Sequence, residues 1–115
     1  MSNKPLQTLS DIASEAHTLV QQADNHLNPV VAVRRGMRDA GIPADAMTID
    51  CLQSRRRILL VLHDQQPDAL LFQFTRMDDD GDPSLSGMPL NDMTSDSLVI
   101  WIQQWLAKGM TPPVS

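Results

Sequence analysis

Apolar residues at Ile12, Ala16, Leu19, Val20, Ala23 and Leu27 recur three and four positions apart, which predicts an amphipathic helix near the N-terminus. Thr8 and Asp11 have capping-box spacing for its start, with Ser10 as the rival cap. The pattern breaks at Asn28-Pro29. Asn suits an N-cap, and Pro suits the first helical position because the N–H it lacks would be unpaired there. A second helix is therefore expected to carry Val30, Val33, Met37 and Ala40 on one face. It should stop at Gly41, the residue best able to take the left-handed cap conformation, with Ile42 and Pro43 beyond.

From Met47 the period changes to two, over Met47 to Leu52, Arg56 to His63 and Ala69 to Met77, predicting three strands joined by short polar turns. A turn at Ser54 and Arg55 sets Met47, Ile49 and Cys51 opposite Leu62, Leu60 and Ile58. A second turn around Gln66 sets those three against Leu70, Phe72 and Phe74. All nine positions on that face are apolar. A slip of one residue would bring Arg57 into the layer, so the alternation itself specifies an antiparallel 1-2-3 meander. The opposite face is mixed, with Leu59, Val61 and Leu71 at its centre.

Residues 78–93 are rich in Asp, Gly and Pro without apolar periodicity and are expected to form a long loop. A third helix should begin near Thr94 or Ser95 and end at Gly109. On it Leu98, Val99, Trp101, Ile102, Trp105 and Leu106 fill an arc of about 160°, and Ile100 points the other way. The expectation is one α+β domain over residues 1–115 in the order ααβββα: two N-terminal helices, a three-stranded antiparallel β-meander and a C-terminal helix. Residues 1–7 and 110–115 are expected to be flexible tails.

A chain of 115 residues suffices for one hydrophobic core and not for two. Nine basic against fourteen acidic side chains give a net charge of −5, which disfavours phosphate backbones and anionic lipid as partners. The charge is unevenly divided. Residues 1–57 sum to +1 and residues 58–115 to −6, which gives either a dipolar surface or Arg clusters that face the acidic loop within the fold. A lone Cys51 cannot form an internal disulfide, and the first thirty residues hold no apolar run of signal or membrane-spanning type. The expected compartment is the cytoplasm.

Asp78, Asp80 and Asp82 have the alternate spacing of a calcium loop, but its sixth position is Pro83 instead of Gly and its twelfth is Pro89 instead of Glu. The reading is a solvated acidic turn. Arg34, Arg35 and Arg38 on the expected second helix, with Arg55 to Arg57 at the hairpin, suggest a nucleic-acid reader. They lack interleaved aromatics, and the net charge opposes it. Cys51 and His63 fall at opposite ends of adjacent strands, about 17 Å apart in the expected register, so they make no nucleophile pair. His17, His26 and His63 have no metal-ligand spacing. No cofactor, metal, nucleic acid or membrane partner is expected.

The surplus is apolar. The middle strand is apolar on both faces, a meander leaves two open edges, and the third helix has a broader arc than one sheet face needs. Leu59, Val61, Leu71, Ile100 and Trp101 form the candidate interaction surface. The reading that follows is a non-catalytic protein-interaction or adaptor module that self-associates, with a protein or a second copy as partner. The alternative is a small enzyme or ligand-binding domain with the Asp-rich loop 78–93 as a lid, its polar site drawn from His63, Asp64, Asp78, Asp80 and Asp82.

Overall fold

The computed structural model describes residues 4–23, 27–77 and 85–110. Helix α1 runs over Lys4–Ala23, so its start lies upstream of the expected caps, Thr8 and Ser10 are interior, and residues 4–7 are helical where a tail was expected. Leu9, Ala13, Ala16 and Val20 form its buried stripe, while Ala23 is exposed. The three-and-four spacing extends back to Leu9, and that extra turn of apolar contact carries the helix past the polar cap residues.

The expected second helix is not present. Val30–Arg34 is a strand, β1, and only Gly36–Asp39 is helical, as a single turn α2. Three of the five β1 residues are valines, whose branched Cβ restricts χ1 in a helix and packs well on a pleated sheet. Gly41 does take a left-handed conformation, with φ of 90°, and ends α2 as its position suggested.

The sheet therefore has five strands, not three. Strands β1, β2 (Ala44–Cys51), β3 (Arg56–His63), β4 (Ala69–Arg76) and β5 (Ser86–Pro89) lie side by side in chain order, each antiparallel to the next. The ααβββα order is corrected to one in which β1 and β5 flank the expected meander. Strand β5 and a 3-10 turn at Leu90–Asp92 occupy part of the segment expected to be a loop. Ser-Gly-Met-Pro has little strand propensity; it is a strand because β4 offers it a free edge.

The β2–β3 register differs from the expected one by two residues. The connection is the four-residue stretch Leu52 to Arg55, with Arg55 at φ 62°, so Ile49 faces Ile58, Met47 faces Leu60 and Cys51 faces Arg56. A two-residue shift keeps every side chain on its face. Across β3–β4, Leu60 faces Phe72 and Ile58 faces Phe74, as the pattern indicated. The apolar face is buried against α1 and the C-terminal helix, with Phe74 alone of the nine residues half-exposed.

Helix α3 spans Ser95–Trp101 and continues as a π-helix over Ile102–Ala107. Thr94 caps it by accepting the Ser97 N–H at 3.1 Å, and Gly109 leaves it at φ 70°. Trp101 packs against Phe72 at a tilt and edge-on against Phe74, with ring centroids 4.8 and 5.1 Å away. Trp105 Nε1 donates to the carbonyls of Arg57 and Thr75 at 3.0 and 3.1 Å, tying the helix to β3 and β4. The C-terminal helix thus lies on the same side of the sheet as α1. No helix among the described residues is long and apolar enough to cross a membrane.

Candidate functional site

With both long helices on one side, the other sheet face is built from cross-strand rows. One reads Val30, Asp50, Arg57, Thr75; the next Ala32, Thr48, Leu59, Gln73; the third Arg34, Ala46, Val61, Leu71, Gly87. Each row brings four or five strands to one line of surface. In the first, Arg57 clamps Asp50 in a two-pronged bond, Nε to Oδ1 at 2.7 Å and Nη2 to Oδ2 at 3.0 Å. Asp50 is 4% exposed, and its partnered carboxylate raises the Arg57 guanidinium above its ordinary range. In the second and third, Arg34 Nε donates to Thr48 Oγ1 at 3.2 Å, so an arginine lies along the strands here too.

The apolar centre of this face is smaller than its residue types suggest. Val61 is buried with Ala44 and Ala46, and Leu59 and Leu71 are half-buried, packed with Met37 of α2 and with Leu85. Ile100 and Trp101 do not join them. Trp101 is buried in the core on the opposite side of the sheet, and Ile100 is exposed on α3. The five residues of the expected surface therefore fall into two separate places. What the pattern reading missed is β1, whose Val30, Val31 and Val33 are 44%, 37% and 42% exposed at the sheet edge. The clustering of three valines in four positions is a signal for a strand there, set against the helical spacing of Val30, Val33, Met37 and Ala40.

No family model, curated protein or solved structure matches the chain.

Of the polar candidates, His63 and Asp64 are occupied by structural contacts. His63 ends β3 opposite Ala44, and its Nδ1 accepts the Gln65 N–H at 3.2 Å. Arg38, on α2, reaches between two carboxylates. It donates to both oxygens of Asp45 at 2.6 and 3.0 Å and to both of Asp64 at 3.0 and 2.7 Å. This clamp fastens the β1–β2 connection to the turn after β3. Asp78, Asp80 and Asp82 lie outside the described residues, with the rest of 78–84 of the lid segment. Among the described residues no group of three or more His, Cys, Asp or Glu could hold a metal ion. Cys51 is buried opposite Arg56, seven ladder positions from His63, or about 23 Å along the strands.

The Arg38 bonds hold the Asp64 carboxyl below its usual range, against a smaller opposing effect of desolvation. A carboxyl that is more acidic folded than unfolded contributes stability above its unfolded value, and the contribution is lost as pH falls through the folded value. Asp64→Asn is therefore expected to reduce the loss of stability on acidification below the unfolded value of 3.8. Urea midpoints measured on both proteins at neutral pH and through the carboxylate range read it; parallel pH profiles would remove Asp64 from the acid response.

Proposed function

We propose that the chain is a non-catalytic protein-interaction module that self-associates, an adaptor in the cytoplasm and not an enzyme. The observation that carries this reading is the β1 edge. Its three valines are exposed on a strand that, among the described residues, has a neighbour on one side only, whereas Ile42, Leu52, Ile100 and Met110 are exposed elsewhere. Isolated exposed apolar residues are ordinary on a soluble surface, but an edge strand that exposes valines on both of its faces, Val31 and Val33 on the helix side and Val30 on the other, is suited to association. The half-buried Leu59 and Leu71 lie on the outer face, two and three strands further in.

A closed twofold dimer is the commonest assembly that covers such a surface. Sedimentation or light scattering at micromolar concentration is expected to give twice the 12.8 kDa chain mass. A single 12.8 kDa species would reject self-association.

A further inference from the structure

The two edges of the sheet are built differently. Strand β5 is four residues long and contains Gly87 and Pro89, and a proline removes a backbone donor from the edge. Short edge strands and prolines are among the devices that prevent unwanted strand addition. Strand β1 has none of them. It runs Val-Val-Ala-Val-Arg without proline or glycine, pairs with β2 at all five positions, and carries its one charge at the last residue. Among the described residues nothing pairs with its other side. Val31 and Val33 face the same side as Ile49 and Met47 and continue the buried apolar layer, yet they remain 37% and 42% exposed. The layer is thus unfinished at this edge.

We infer that β1 pairs antiparallel with β1 of a second copy about a twofold axis through Ala32, joining the two sheets into one of ten strands. This deepens the self-association proposed above and rests on it. The occupant is a second copy because the strand is close to a palindrome about Ala32. A twofold axis normal to the sheet keeps the helix-bearing faces on the same side and sets Val31 opposite Val33 of the second copy, and Val33 opposite its Val31. Ala32 meets its own counterpart, and Arg34 lies against Val30 of the second copy. Apolar residues therefore meet apolar residues on the core side, where cross-strand aliphatic pairs stabilise a sheet. On the outer side no like charges are opposed. The dimer would also double the outer face, with two sets of the half-buried Leu59 and Leu71 on the same side of the joined sheet.

Two double variants test the interface and its register. In Val31→Lys with Val33→Lys, each lysine meets another lysine across the axis, and association is expected to weaken at least about 100-fold, from dimer to monomer. In Val31→Glu with Val33→Lys, each glutamate meets a lysine of the second copy, and the dimer is expected to persist. Both positions are exposed in the single chain, and far-UV circular dichroism with urea midpoints checks that each variant folds. A monomeric unsubstituted chain overturns self-association and this interface together. A dimer that survives the two lysines overturns the β1 interface and leaves self-association standing. Loss of the dimer in both variants overturns the register about Ala32.

Discussion

Leu60→Ala is expected to destabilise the fold by about 2 to 5 kcal/mol, a large share of the stability of a domain this size. Leu60 is fully buried at the middle of β3, opposite Met47 on one side and Phe72 on the other. Both neighbouring strands are held in register by ladders along most of their length, so the backbone has little room to close on the space that the lost methyl groups leave. Phe72 is further pinned by Trp101. Urea unfolding of the two proteins measures the difference. A loss below about 1 kcal/mol would mean that the centre of the sheet is not packed as described.

Arg57→Ala is expected to cost about 2 to 4 kcal/mol, more than Asp50→Ala, although the two residues form one ion pair. The asymmetry follows from their surroundings. Asp50 has a side-chain exposure of 5% and Arg57 of 27%. An arginine that loses its partner can swing its guanidinium to water, whereas a carboxylate left in the sheet keeps its desolvation without its bonds. Replacing both residues by valine removes the unpaired charge and supplies strand formers, so the double variant should be more stable than Arg57→Ala alone. Urea midpoints of the unsubstituted chain and these three variants test this, and equal losses from the two single alanine variants would refute the buried-carboxylate argument.

Because Asp50 meets Arg57 directly, the pair also reports the strand register. In the register expected from a two-residue turn at Ser54 and Arg55, Asp50 would face Leu59. The four-residue connection moves it to Arg57 without changing any face. Alternation alone could not make that choice, since both registers bury the same apolar set. The observed register adds a paired charge on the outer face, and that difference is visible only when the two strands are placed together.

Local pattern determined the meander β2 to β4, the apolar face centred on Leu60, and the C-terminal helix with its Thr94 cap and Gly109 end, because each rests on a period within one segment. It also placed Leu59, Val61 and Leu71 on one outer face. The segment Val30 to Gly41 was ambiguous. Val30, Val33, Met37 and Ala40 satisfy helical spacing while Val31 and Val33 satisfy alternation, and the exposed edge of β2 decided for a strand. The tertiary structure also decided β5, whose sequence has no strand signal of its own, and the side of the sheet taken by α3. A strand at an edge draws half its definition from its neighbour's unpaired N–H and C=O groups, and a helix after a long connection can pack on either face. Neither choice is written in the segment itself, and together they leave the valines of β1 at an open edge.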